Sequence, residues 1–351
     1  MLFDTKIKKY AGIDIGGSSI KLVELSRISE KLHLNTYAEL AIGSYAGHIT
    51  GQTVRLGEEK LSEAINDIYK GSKSSANEFI LSIPMSACSI LHLSLPKDSE
   101  DILDTIVPME LRKYTPAQMD DFMVSFERLP EALSDTGAIS NKLEIIVLSV
   151  RKRAFQEIKA ASAILPGEVI ALEPSLFGVL RSLNIEKTKA SLVIDIGSSL
   201  TTVAFLNHGV LYGASTLNIG GQDITNNIQN SLAVSFEEAE KIKKTGGLLV
   251  SDANILLRDV LLLAARRLAE EVIHIRNRYE MRYNIICNEV WICGGGARLI
   301  GLDKFLQDEL KVEVKISNAF DRVEVPEVMR PMLSQESPTF TSAIGLTLSQ
   351  I

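Results

Sequence analysis

Apolar runs near the start of the chain are broken by glycine rather than by charge. Residues 10–25, "YAGIDIGGSSIKLVEL", read as strand, tight turn, strand, and "KLHLNTYAELAI" follows as a third strand. In "EEKLSEAINDIYKG" the apolar residues Leu61, Ile65 and Ile68 recur at helical spacing, with Gly71 as the stop. "EFILSIP" is a buried-strand run closed by Pro84. From Ser86 to Leu165 the pattern changes to strand ("SILHLSL"), helix ("SEDILDTIVPMELRKY", with Ser99 as N-cap), two strands ("DDFMVSFERL" and "KLEIIVLSV") joined by a polar loop, and a second helix, "RKRAFQEIKAASAI". The strand–glycine–strand pattern then returns in "SLVIDIGSSLTTVAFL". A further strand, two helices, a long helix from 254 to 283, and a strand–glycine–helix run over 288–310 follow.

The recurrence is close. Ile13, Asp14, Ile15, Gly16 and Ser18 return as Ile194, Asp195, Ile196, Gly197 and Ser199. Asp14 and Asp195 stand 181 residues apart, too far for a solenoid repeat and right for duplication of one α/β domain. The β-α-β-β-α stretch has no counterpart in the second half and reads as a small insert in the first. The expected architecture is α/β. Residues 1–85, 166–190 and a returning helix over 339–351 make the first lobe, 86–165 the insert, and 191–338 the second lobe.

Composition narrows the function. A chain of 351 residues with 46% hydrophobic and 23% charged residues has material for more than one globular core. Its net charge of −7 argues against a nucleic-acid-coating surface. The N-terminus lacks an apolar stretch of signal-peptide length, and Arg258, Arg266 and Arg267 cut the most apolar helix, so no membrane span is expected. Cys88, Cys287 and Cys293 fit buried thiols in a reducing cytoplasm rather than a disulfide framework or a zinc site. The basic residues Arg276, Arg278 and Arg282 near the end of the long helix, and Arg151, Lys152 and Arg153 opening another, read as solvated.

The glycine turns carry the chemistry. A glycine hairpin after a strand lets backbone N–H groups approach a ligand, and with the hydroxyls of Ser18, Ser19, Ser198 and Ser199 it can cradle phosphate oxygens. Asp14 and Asp195 at the strand ends suit Mg²⁺, which takes one or two acids and keeps most of its waters. A solvated Asp beside an ordinary turn explains one copy; two matched copies point to a clamp on a phosphate tail. "GGGARLIG" has Leu299 where a dinucleotide fingerprint needs its last glycine, and no GxxxxGK[ST] occurs. Gly294, Gly295 and Gly296 after "VWIC" suit close packing on an adenine ring.

These segments resemble the actin-like ATPase superfamily. "DIGGSSIK", Asp14 to Lys21, is similar to its phosphate-1 motif and "DIGSS", Asp195 to Ser199, to phosphate 2. "CGGGA", Cys293 to Ala297, is similar to the adenosine motif, and "LEPSLFGVLRSL" and "TSAIGLTL" to the two connecting helices. The resemblance implies an actin-like ATPase fold binding ATP and Mg²⁺. Asp14 and Asp195 would hold the metal; Gly16, Gly17, Ser18, Ser19, Lys21, Gly197, Ser198 and Ser199 the phosphates; Gly294 to Ala297 the adenosine; and Glu240 and Lys243, in "FEEAEKIK", the ribose. Asp195 and Glu173 would be the catalytic acids. Glu173 either orients water or hydrated metal near the terminal phosphate or is a salt-bridged acid before Pro174.

More narrowly, "SIPMSACSILHLSLP", "PMELRKYTP", "LEIIVLSVRKRAFQEIKAA" and "NIGGQDITNNIQNSLAVSFEEAEKIK" resemble the PilM family of type IV pilus assembly. Gly17 stands where Ser or Thr is common, and "KYTPAQ" replaces a more aromatic stretch. The resemblance implies an ATP-binding cytoplasmic scaffold of the inner-membrane pilus platform, at most a slow ATPase. A groove beside the insert would receive the cytoplasmic N-terminal peptide of a PilN-like bitopic partner, which alone would bring the chain to the membrane. Glu110 and Tyr114, four residues apart, would border it; self-association is left open. The alternative is an FtsA-like filament former, but such proteins add a C-terminal membrane helix and this chain stops at Ile351. A sugar or acetate kinase would need an acceptor site and a base that no residues here supply.

Overall fold

A computed structural model describes residues 7–113, 119–129, 142–248 and 255–351. Strands β1 (Lys9–Ile15), β2 (Ser19–Ile28) and β3 (Lys31–Ala41) form an antiparallel meander. Helix α1 (Glu58–Ser72) leads to β4 (Glu78–Ile83), which runs parallel to β1. The insert follows as β5 (Cys88–Pro96), α2 (Leu103–Leu111), β6 (Phe122–Arg128) and β7 (Lys142–Arg151), and α3 (Lys152–Ala161) comes next. Then β8 (Glu168–Pro174) joins β4 in parallel and α4 (Ser175–Ser182) leaves the lobe.

The second lobe repeats this plan with β9 (Ala190–Ile196), β10 (Thr201–Asn207), β11 (Val210–Leu217), helices α5 (Gly221–Leu232), α6 (Phe236–Gly246) and α7 (Ile255–Tyr283), then β12 (Glu289–Cys293), α8 (Leu302–Leu310) and β13 (Glu313–Ile316). The last helix is α9 (Arg330–Thr347). The sheet orders β3-β2-β1-β4-β8 and β11-β10-β9-β12-β13 match strand for strand, as the duplicated motifs require. The insert has its own antiparallel sheet, β5-β7-β6.

Each lobe closes over its own core. In the first, Ile13, Leu22, Phe79 and Leu81 pack under Ile65 and Ile68 of α1; in the second, Leu192, Ile194 and Phe205 pack under Leu261, Leu268 and Val272 of α7. Burying such side chains contributes about 1.5–3 kcal/mol each. The insert rests on the second lobe. Ile90 packs with Ala204 and Leu206, and His92 stands edge-on to Tyr283 with ring centroids 4.9 Å apart.

Helices α4 and α9 cross in backbone contact where glycine is obligatory. A Cβ on Gly345 would lie 1.6 Å from the Gly178 carbonyl oxygen, and one on Gly178 would lie 2.6 Å from that of Ser342. Helix α9 lies on β1 and β2, burying Phe340, Ala343 and Ile344 against Val23 and Leu25. It starts at Arg330 rather than 339, and Pro338 stands inside it.

Three further expectations are corrected. Ser99 caps no helix: it is buried in a 3₁₀ turn over Lys97–Ile102, and α2 begins at Leu103 without a side-chain cap. Helix α3 belongs to the first lobe rather than the insert, because Ile158 and Ala161 complete that lobe's core; the insert closes at Arg151. Arg276 and Arg282 do not simply face water. Arg276 donates to the Leu310 carbonyl at 2.7 Å, and Arg282 reaches the insert to donate to the His92 carbonyl at 3.0 Å.

Candidate functional site

Between the lobes lies a cleft of about 1410 Å³ lined by both hairpins, the triple glycine and part of α9. The hairpins are built alike. Gly16 N–H donates to the Ser19 carbonyl at 3.0 Å, and Gly197 N–H to the Leu200 carbonyl at 2.9 Å. A Cβ at Gly16 or Gly197 would fall 2.8 or 2.9 Å from those same oxygens, so each turn needs its glycine. The hairpins face each other. A Cβ on Gly17 would lie 3.0 Å from Ser198 Oγ and 3.3 Å from Ser199 Oγ, so Ser or Thr there would crowd the opposite turn. The carbonyl oxygens of Gly197 and Ser198 accept from the N–H groups of Gly221 and Gln222 at 2.9 and 2.8 Å, which anchors the second hairpin to the start of α5.

The two acids end equivalent strands, β1 and β9. Asp14 is nearly buried and accepts from Ser342 Oγ of α9 at 2.9 Å. Burial and the negative charge of Asp14 push the Asp195 carboxyl up to about 6; Lys21 and the Cys293 thiol pull the other way. Cys293 is the cross-strand neighbour of Asp195 on β12 and fully buried; burial and the Asp195 charge raise its thiol well above the ordinary range. Gly294, at φ +79°, leaves room for Asp195, since a Cβ would sit 2.5 Å from Oδ1. Two carboxyls that repel each other on one cleft floor, with a protonatable member, are the donor set a hydrated divalent cation suits. Among the described residues no three His, Cys, Asp or Glu side chains cluster as metal ligands. A cation here would need waters or ligand oxygens as well.

The remaining predicted residues divide. Lys21, Ser18 and Ser19 line the cleft, but Ser19 Oγ donates to Glu39 at 2.7 Å and Lys21 Nζ lies 4.0 Å from Glu39. Glu240 and Lys243 also line it and meet at 2.6 Å, with Thr225 Oγ1 donating to Glu240 at 2.7 Å. Burial pulls the Lys243 ammonium down despite Glu240. The Glu240 carboxyl is driven up by burial yet held below its ordinary value by Lys243 and Thr225. Gly294, Gly295 and Gly296 line the cleft; Ala297 is buried behind them.

Glu173 is not brought to the cleft. Its carboxylate is taken up by Arg181 at 2.8 and 3.0 Å, and Arg181 donates also to the Gly345 carbonyl at 2.7 Å, bracing the α4–α9 crossing. The catalytic expectation for Glu173 therefore gives way to the ion-pair alternative. Glu110 pairs with Lys113 at 2.7 Å and does not line the cleft, and Tyr114 lies outside the described residues.

Sequence reasoning missed Thr53, Gln222, Thr339 and Ser342, all of which line the cleft. Thr339 is 7% exposed with an unpartnered hydroxyl, and the Pro338 carbonyl beside it accepts from Gly294 N–H at 2.8 Å.

Two lobes of one strand order, glycine hairpins opposed across the cleft and paired helices crossing behind them define an actin-like ATPase fold. Solved structures agree. A chain of the PilM–PilN type IV pilus biogenesis complex matches with a TM-score of 0.80 and 21% identity, over 97% of this chain and 98% of that one. MreB5 of Spiroplasma citri bound to AMPPNP matches with a TM-score of 0.54 and 15% identity, over 98% and 96%. The chain belongs to the family described as type IV pilus assembly protein PilM, whose model matches residues 12–351. It is also 30% identical over 186 residues to the cell division protein FtsA of Staphylococcus epidermidis, which covers 47% of this chain and 38% of that protein's length. No helix among the described residues is long and apolar enough to cross a membrane.

Proposed function

We propose that this chain binds Mg-ATP between its lobes and serves as a nucleotide-set scaffold of the type IV pilus inner-membrane platform. The carrying observation is the opposition of the two hairpins, Gly17 against Ser198 and Ser199, in one cleft. Asp14 and Asp195 would hold Mg²⁺, which supplies charge neutralisation for the phosphates when bound. The hairpin amides and hydroxyls, with Lys21, would hold the phosphates; Gly294 to Gly296 would pack the adenine; Glu240 and Lys243 would hold the ribose. Glu173 is engaged by Arg181, so the acid that the family resemblance offered for orienting water is taken up elsewhere, which supports at most slow hydrolysis.

The same cleft continues to the junction of insert and first lobe, where Phe122, Arg151 and Arg153 line it. Strand β6 is the edge of the insert's sheet and offers backbone for an added extended segment. This supports docking of the N-terminal peptide of a PilN-like bitopic partner there; Glu110 and Tyr114 stay bordering residues on the family resemblance alone. Such a partner would hold the chain at the inner membrane.

Thermal melting with and without millimolar Mg-ATP tests the nucleotide reading. Ligand at 100 times its dissociation constant adds about 2.7 kcal/mol, and Asp14→Ala or Asp195→Ala should abolish the shift. An unchanged wild-type melt, with no nucleotide extracted from purified protein, would overturn it.

A further inference from the structure

The chain enters the second lobe once, between α4 and β9, and leaves it once, between β13 and α9. One passage starts from α4 and the other leads into α9, the two helices that cross at Gly178 and Gly345. Two connections that meet at one crossing act as a hinge: they fix where the lobes join and leave them free to turn about that line.

The insert adds a third connection, made without a passage of the chain. Ala87, just before β5, and Val150 of β7 belong to the first lobe's core. Farther along the same strands, Ile90, Ile146 and Leu148 pack on the second lobe with Ala204, Leu206 and Leu211. Beyond them the His92 ring lies nearly parallel to that of Tyr212, with planes 19° apart and centroids 6.1 Å apart, and edge-on to Tyr283. Glu144 Oε2 stands 2.9 Å from His92 Nε2 and sets the angle of the ring, while Ser94 Oγ donates to the other oxygen of that carboxylate at 2.8 Å. From α7, Arg282 donates to the His92 carbonyl at 3.0 Å, and its guanidinium stands 5.7 Å from the centre of the Tyr283 ring. The Tyr283 hydroxyl donates to the Tyr212 carbonyl at 3.2 Å. Helix α7, strand β11 and the insert are thus tied at one point.

We propose that the insert is a strap that limits how far the second lobe turns from the first, and that Arg282 with His92 is its catch. Strands rooted in one lobe and laid on the other resist rotation. Turning the lobes must either slide Ile90 and Leu148 off the second lobe or bend β5 and β7, and a close-packed contact gives way in steps rather than smoothly. The catch sits beyond the apolar contact, away from the strand roots, where it has the longest lever. Arg282 is exposed and would lose nothing by staying in water, yet it spends its fork on a carbonyl of the insert. The strap acts on the motion of the lobes whatever the cleft holds.

The test is the distance between spin labels on Glu59→Cys of α1 and Lys241→Cys of α6, two exposed residues on helices that flank the cleft, in the full chain without ligand. Cys88→Ser removes the one native thiol that is not buried. The otherwise unaltered chain should give one distance. Arg282→Ala should add a second, longer one, and His92→Ala combined with Arg282→Ala should make the longer distance dominant. Arg278→Ala, exposed on the same helix, should leave the single distance as it was. The Arg282→Ala protein decides, since an exposed side chain can be truncated without loss of the core. An unchanged distance in that variant, or an equal change in Arg278→Ala, would overturn the proposal.

Discussion

Asp195→Asn should make the ligand-free protein more stable while destroying its response to Mg-ATP. The Asp195 carboxyl stands at about 6 in the fold against 3.8 ordinarily. The native chain therefore keeps a proton that the unfolded chain has lost, and ionising it costs the native state. The penalty is absent below about pH 4, where both states are protonated. It grows as pH rises from about 4 to 6 and is fully present above that window. A shift of about two pH units, at 1.36 kcal/mol per unit, sets the penalty near 3 kcal/mol. An amide carries no charge for Asp14 to repel and has no such penalty. In urea melts without metal or nucleotide, Asp195→Asn should exceed wild type by about 3 kcal/mol at pH 7.5, and the gap should fall to about half at pH 5. Mg-ATP should then raise the wild type and not the variant. If the variant is less stable than wild type at pH 7.5, or the gap is the same at both pH values, the electrostatic account of the cleft floor is wrong.

Gly345→Ala sets a methyl into the Gly178 carbonyl and should destabilise the chain by about 1–3 kcal/mol in the same melts, because neither backbone can yield. Glu173→Gln should leave Mg-ATP affinity and turnover within twofold while lowering stability by about 1 kcal/mol, since it loses one side of a part-buried ion pair; a large loss of turnover would restore the catalytic role. Steady-state ATP turnover should fall below the 1–100 s⁻¹ typical of kinases, and a rate inside that range would contradict the scaffold reading. A synthetic peptide from the partner's cytoplasmic N-terminus should bind with a dissociation constant near 1 μM, about −8 kcal/mol. Tyr114→Ala should weaken it, and an unchanged constant in a folded variant would remove Tyr114 from the groove.

What could be read from the sequence was local. The Asp14 and Asp195 hairpins, the triple glycine and the strand that precedes each are contiguous, so residue type and spacing carry their geometry. Thr53, Gln222 and Ser342 sit in an ordinary loop and two ordinary helices, and only the approach of the lobes makes them part of a site. Glu173 shows the opposite failure. Its competitor, Arg181, lies eight residues on, at the far end of α4, and takes up both carboxylate oxygens. The boundary at α3 was missed because one amphipathic face serves either core; Ile158 and Ala161 do not say which sheet they will cover. Arg282 reads as a solvated helix end until the insert folds back against α7 and presents the His92 carbonyl.

The claim that phosphates lie between the opposed turns is tested most directly by calorimetric titration of Mg-ATP into wild type and Gly17→Val. Valine fills the space that Ser198 Oγ and Thr53 approach to 3.0 Å and leaves Asp14, Asp195 and the triple glycine untouched. The account predicts one equivalent bound to the wild type and none to a folded Gly17→Val. Equal affinity in the two proteins, or no binding to the wild type, would contradict it.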